Sequence, residues 1–294
     1  MDLSKYKEGN FLYFHNGIIT DKNITLDNLN LSKNVTLTII HDIDSDCNIN
    51  LVLNEGINAN ILEVFYVHSN DDKDITVNKE VICKKNSNLS IVTFEHSSKG
   101  FKSNIFVSVV LEENASITNK KLTLYLNNVK ESEKVTLKED KAVYDNFNVL
   151  INASCVTQDC DLLVTHIGTD TSSIMRNYGI AKGASTLNIN TNGYVERGAK
   201  RTNVSQKSKG ILLDVDSKIS ANPWLQIDEF DCLASHGAGI GAISEEELYY
   251  LMSRGLTKEE SERIIIDGFV SPIYKEIKSE EIVASLNDIV KKYL

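Results

Sequence analysis

Cys232 and His236 stand four residues apart, and on an extended segment a Cys-x-x-x-His pair puts both side chains on one strand face, where they could share a soft metal. His236 precedes a predicted helix N-terminus, whose dipole would lower an imidazole pKa and keep a lone pair free for a metal. The plainer alternatives are an exposed loop histidine and a buried structural cysteine. Cys155 and Cys160 lie beside Asp159 and Asp161, but their spacing is no zinc signature and no second pair exists. On a regular strand they face opposite ways, so they read as core or surface thiols. Gly237-Ala-Gly-Ile-Gly241 superficially offers a phosphate cradle. It lacks the βαβ setting of a dinucleotide fingerprint and reads instead as a tight, closely packed loop. Asp214/Asp216 and Asp159/Asp161 read as acidic pairs on one strand face. Such carboxylates serve glycan-cutting β-helix enzymes, which makes an intracellular glycan-acting enzyme an alternative; solvated turn charges explain them more simply.

These residues need elements to position them, and from about Phe11 to Cys232 the candidates are short β-type runs. Val35–Ile40, Ile49–Leu53, Leu89–Phe94, Ile105–Leu111 and Leu122–Leu126 are rich in β-branched and aromatic residues, and many alternate apolar with polar. Polar turns with small residues separate them, at spacings of about 25–35 residues in several cases, in the range of repeat architectures. With no helices between the strands, crossover α/β layers are excluded. A β-helix and a sandwich both remain, and Asn-rich turns suit the β-helix because Asn tolerates left-handed bends.

The pattern changes at residue 243. Ser244-Glu-Glu-Glu247 and Thr257-Lys-Glu-Glu260 read as capping boxes. The first opens a helix with Leu248, Leu251 and Met252 on one face, stopped by Gly255. The second carries Ile264, Ile265 and Phe269 and is predicted to end at Gly268 and Pro272. A third runs from about Ser279 with Ile282, Val283, Leu286, Ile289, Val290 and Tyr293 at helical spacing. The predicted organisation is an N-terminal extension over 1–10, a β core over 11–242 and a small helical domain over 243–294. The helices are also expected to cap the open edge of the β-column. Tyr249, Tyr250 and Arg254 exceed what a cap needs and have the composition of partner-binding anchors.

Val195-Glu-Arg-Gly-Ala199, Ala221-Asn-Pro-Trp-Leu-Gln-Ile-Asp-Glu-Phe-Asp231, Ser235-His-Gly-Ala-Gly-Ile-Gly241 and Glu246-Glu-Leu-Tyr-Tyr-Leu-Met-Ser-Arg-Gly-Leu256 resemble, in order and spacing, the SufD/SufB family of iron–sulfur cluster assembly scaffolds, most closely the SufD branch. The resemblance covers roughly residues 180–275. It implies a right-handed parallel β-helix core with a C-terminal α-helical domain that docks a SufC-like ATPase. It further implies pairing along the β-helix with a SufB-like or identical subunit, and a transient iron–sulfur cluster built at the subunit interface. The family's usual N-terminal helical domain is not matched, since strand-type runs begin near residue 11. His236 falls on a family histidine thought to contribute a cluster ligand. Where the SufB branch has an essential Thr-Gln-Cys thiol, this chain has Ser205-Gln-Lys-Ser208, and where that branch has a glutamate next to the histidine it has Gly237. The thiolate must therefore come from a different partner or, in a homodimer, from among Cys47, Cys83, Cys155, Cys160 and Cys232.

Bulk properties agree with a soluble scaffold. The 294 residues are 41% apolar, enough for one large domain or a main domain with a small appendage. The net charge of −10 disfavours nucleic acid and anionic membranes as partners. The N-terminus lacks a signal-peptide pattern, and no apolar run approaches the roughly 20 residues of a membrane span, so a cytoplasmic location is expected. Five cysteines in a long chain of that kind do not read as a disulfide framework. No Walker-type loop is present, so ATP enters only through the partner ATPase and the chain itself is expected to be no enzyme. Two further readings stay open: a homodimeric minimal scaffold, and a purely structural β-helix with no metal role.

Overall fold

The computed structural model describes residues 1–26 and 28–294, in which a 3₁₀ turn (Leu3–Tyr6) precedes eighteen strands and three helices. The strands are β1 (Phe11–His15), β2 (Ile18–Lys22), β3 (Asn30–Leu31), β4 (Val35–Ile43), β5 (Cys47–Leu53), β6 (Asn58–Val67), β7 (Ile75–Cys83), β8 (Asn88–Ser97) and β9 (Lys102–Leu111). They continue as β10 (Ser116–Leu124), β11 (Asn128–Leu137), β12 (Val143–Asn152), β13 (Thr157–His166), β14 (Ser172–Ala181), β15 (Thr186–Val195), β16 (Thr202–Leu212), β17 (Lys218–Ile227) and β18 (Cys232–Ala242). The helices are α1 (Glu245–Ser253), α2 (Lys258–Tyr274) and α3 (Glu280–Tyr293).

From β4 onward consecutive strands alternate between two sheets, and each pairs in parallel with the next strand but one. A sandwich built from hairpins would instead pair neighbours antiparallel, which among the described residues only β1 and β2 do. The fold is therefore a parallel β-solenoid of about eight turns. Partners in register stand 24, 30 and 31 residues apart at Val35–Ala59, Asn58–Asn88 and Ser172–Asn203. Several corners use the left-handed backbone that Asn accepts, at Asn86 (φ 57°) and Asn114 (φ 56°). The column starts as an ordinary apolar core, in which Leu37, Ile61 and Ile91 stack in one inner row. From β10 onward that row turns polar, with Asn119, then Asn146.

The helical tail does not cap the column, contrary to expectation. α2 and α3 lie across the outer face of the ten-stranded sheet. Ile266, Val270, Ile273, Ile282, Leu286 and Val290 share one buried cluster with Ile40, Val64, Phe94, Leu122, Val149 and Ile180. The sheet is therefore buried on both faces here, which is why β8 reads as a continuous run and not as an alternation. Lys120 bonds Glu276 at 2.6 Å and Tyr6 bonds Ser285 at 3.2 Å, fastening the tail further. α2 also runs on through Gly268 and Pro272, where it was predicted to stop. Its buried positions continue on both sides of these residues, so packing overrides two local helix breakers. Of the two predicted capping boxes, Thr257–Glu260 is reciprocal, while Ser244 only accepts from Glu247 N–H.

Candidate pairing edge and donor site

The two ends of the column differ. At the first end the antiparallel strand β2 (Ile-Ile-Thr-Asp-Lys) closes one sheet, and the other ends on the two-residue β3, both common ways of blunting an edge. At the far end β17 and β18, ten and eleven residues long, are the outermost strands of their sheets. Trp224 (53% exposed), Phe230 (102%), Leu233 (72%) and Ile240 (41%) lie exposed along these two strands and the turn between them. A long regular edge carrying exposed apolar side chains is what a covering chain would pair with.

Backbone alternation separates the two edges. Lys218 N–H donates to Ser185 O, which ties even-numbered residues of β17 to β15 and turns odd ones to the free edge. Pro223 is one of those outward residues, so this edge lacks a donor at its middle. Asn203 N–H donates to Thr171 O, which ties odd residues of β16 to β14 and even ones to β18. In the parallel pattern odd residues of β18 then bond β16. The N–H and C=O groups of Ala234, His236, Ala238 and Ile240 are left on the open edge without an interruption.

His236 sits in mid-strand, not in the loop before a helix. α1 begins nine residues later, too far for its end charge to reach the ring. His236 pairs in register with Gln206, whose buried side chain faces into the column, so the imidazole faces the same way at the uncovered end. Cys232 stacks likewise on buried Thr202. The predicted shared face is therefore present, but four residues of extended strand separate the two by about 13 Å. That makes them two separate donor positions, not a chelating pair. Cys232 Sγ donates to Glu229 O at 3.2 Å, and partial burial, with Glu229 and Asp231 nearby, raises its thiol pKa. Among the described residues no three His, Cys, Asp or Glu side chains gather round a common point for a metal.

The glycines expected to form a packed loop are instead strand residues of β18. Gly237, Gly239 and Gly241 have nothing within 4 Å of where a Cβ would stand. Lys207 and Gly237 pair in register with their side-chain positions turned outward. Cys155 lies exposed in a turn, while Cys160 faces the column interior, where burial first and then Glu131 push its thiol pKa up. Asp159 and Asp161 accept ladder bonds from Asn188 and Asn190, both at 2.7 Å. Asp214 lies in a turn rather than on a strand and accepts from the Gly183 and Ser217 amides, so both acidic pairs have structural partners.

α1 has no buried residue; Tyr249 is 76% exposed and Met252 45%. The Arg254 guanidinium lies 5.2 Å from the centre of the Tyr250 ring, so those two hold each other while Tyr249 is open. Sequence reasoning missed the buried ion groups: Lys79 bonded to Glu63 beside His41, and Lys121 bonded to Glu131 near Glu133. Their signal is a charge at a position where strand alternation requires an inward side chain.

The family model described as "SUF system FeS cluster assembly, SufBD core domain" matches residues 45–269. The chain is similar to the iron–sulfur cluster assembly protein SufD of Bacillus subtilis (strain 168), 27% identical over 263 residues, covering 79% of this chain and 60% of that protein. It is also similar to SufB of the same organism, at 25% over 218 residues, covering 72% and 45%. A SufBD family protein of Pyrococcus horikoshii is 40% identical over 95 residues, 32% of this chain and 21% of that one. The matches span less than two thirds of the length of each of these relatives.

Proposed function

The chain belongs to the SufBD core family of SUF-system iron–sulfur cluster assembly, and we propose that it is a non-catalytic scaffold subunit of such a machine in the cytoplasm. In this reading β18 pairs with a SufB-like chain or a second copy, and the exposed face of α1 docks a SufC-like ATPase. The observation that carries the reading is the unblunted edge of β18 with His236 beside it, inside the segment that matches the family. Pairing two such edges brings an imidazole from this chain up to the partner's inner row, where an iron–sulfur cluster, the cargo of the system, would be held between subunits. Cys232 is a second donor position farther along the strand; its raised pKa means that it must lose a proton before it can bind iron. ATP chemistry belongs to the partner.

Co-expression with the ATPase and the second scaffold, co-purification and anaerobic iron reconstitution test this. His236→Ala is expected to leave the complex assembled and to lose at least about half of its retained iron, because one donor to the iron is gone. Iron content equal to that of the parent would remove His236 from the ligand set. Tyr249→Ala should weaken ATPase association by roughly 30-fold, the size of a typical aromatic hot spot. With Tyr249 so open the monomer's melting temperature should not move, and undiminished association would remove the docking role.

A further inference from the structure

Two inner rows of the ten-stranded sheet are polar over successive coils. One runs Lys121, Asn148, Asn177, Ser208; the other runs Asn119, Asn146, then across Met175 to Gln206, below His236. Some of these groups satisfy each other: Asn119 Nδ2 donates to Asn146 Oδ1, and Asn148 Nδ2 to Asn177 Oδ1, both at 3.1 Å. Several buried atoms still have no protein partner. Asn119 Oδ1, Glu131 Oε2, Asn148 Oδ1 and Gln158 Oε1 stand near the acid–lysine cluster, with Gln206 Oε1 and Ser208 Oγ closer to the open end. Left dry, so many orphans would together cost as much as the whole stability margin of a domain.

Voids lie next to them. One, lined by apolar side chains such as Phe65, Leu89 and Ile91 together with Glu95, Asn119, Lys121 and Tyr144, holds about 50 Å³; a second, beside Glu131, Asn148 and Thr191, holds about 20 Å³. Each exceeds what one water needs. The unpartnered atoms include a donor, Asn146 Nδ2, as well as the acceptors Asn119 Oδ1 and Asn148 Oδ1, so the occupant must both donate and accept. That describes water better than a cation.

We propose that the column interior holds a file of ordered water from the Lys121–Glu131 cluster to the open end at His236, along which the Glu131 carboxyl exchanges its proton with solvent. The groups facing Glu131 are Lys121 of β10, Glu95 of β8, Glu133 of β11 and Cys160 of β13, with Tyr125 and Tyr144 adjoining. Tyr125 donates to Glu95 and Tyr144 to Glu133, while the Lys121 ammonium pairs with Glu131 and Glu133 and feels the charge of Glu95. Burial first, then Glu95 and Glu133, raise the proton affinity of Glu131 against the pull of Lys121. Glu131 Oε2 is also the carboxyl oxygen of this cluster left without a protein partner, where a water would bridge. This inference does not depend on the proposed scaffold role.

Infrared spectroscopy of the full chain tests it. At mildly acidic pH the protonated-carboxyl band that Glu131→Gln abolishes should shift within minutes of transfer to D2O. That is roughly 100-fold or more ahead of the slowest core amides, which wait for global opening. Ser208→Leu, a plug near the mouth, should slow the shift about tenfold if water occupies the file. A band that shifts only with the core amides, the lack of any band removed by Glu131→Gln, or an unplugged rate in folded Ser208→Leu would each overturn the proposal. The comparison with core amides in the parent protein stands even if Ser208→Leu does not fold.

Discussion

Ala238→Pro is expected to leave the monomer folded and to abolish pairing through β18. The Ala238 N–H points to the free edge and takes no part in the ladder with β16, so a proline there removes no bond of the solenoid. It removes a donor from the middle of the pairing edge and puts a ring where the second strand's carbonyl would approach. The dissociation constant should rise by ~100-fold or more, equivalent to about 3 kcal/mol. Analytical ultracentrifugation or co-purification with the second scaffold reads the loss, and circular dichroism and melting temperature check the fold. Gly239→Pro is the control: residue 239 bonds β16, so its effect should be lost stability. If Ala238→Pro pairs as tightly as the parent, the partner does not add a strand here. Pro223 on β17 already makes the corresponding substitution at the other edge, which is why the expectation falls on β18.

Much of the solenoid was legible because its elements are locally consistent. The runs at 35–40, 49–53, 89–94, 105–111 and 122–126 fall on strands β4, β5, β8, β9 and β10, although the last passes the end of its strand at Leu124. Period-2 alternation could not choose between a solenoid and a sandwich, because it records which side chains are buried and not which strand pairs with which. Pairing depends on contacts 22 to 32 residues apart, and there the resemblance at the strand–helix junction carried the expectation. The tail was legible as three helices from its caps and apolar stripes. Its location was not: the clue was the doubled burial of strands such as β12, whose Val149-Leu-Ile151 run has no exposed face.

β18 was the segment read least well. Gly237, Gly239 and Gly241 are poor strand formers, and by local preference they spell a loop. Eleven residues in continuous register with β16 impose the strand instead. This relocates His236 from a helix end to an open sheet edge, and the same regularity sets Cys232 too far along to share its ligand. The donor residues were therefore identifiable by type and by resemblance, while their relative geometry was not. The polar inner rows were missed for a related reason. Asn119, Lys121 and Glu131 look like solvent-facing residues until the register turns them inward.

Lys79→Met should destabilise the chain by about 3–5 kcal/mol at neutral pH, the cost of leaving one buried charge without its partner. Glu63 is fully buried, bonded by Lys79 and, at 3.2 Å, by His41, with Thr93 beside it. Burial alone would raise its pKa; the Lys79 ammonium and His41 overcome that and draw it down to about 2. A carboxyl held that low contributes stability above the ordinary carboxylate range and gives it up as pH falls through the folded value, an effect of about 3 kcal/mol. Without the ammonium the balance reverses, burial dominates, and Glu63 takes up a proton on folding. The variant's deficit should therefore be largest at pH 7 and above and shrink steadily as pH falls through 4, as urea titrations at several pH values would show. Adding Glu63→Gln to Lys79→Met should recover most of the loss at neutral pH, since a neutral amide can keep the His41 contact without a counter-charge. A deficit that does not vary with pH would mean that Lys79 acts through the packing of its stem over Phe65, whose ring centre is 5.1 Å from the ammonium, and not through charge.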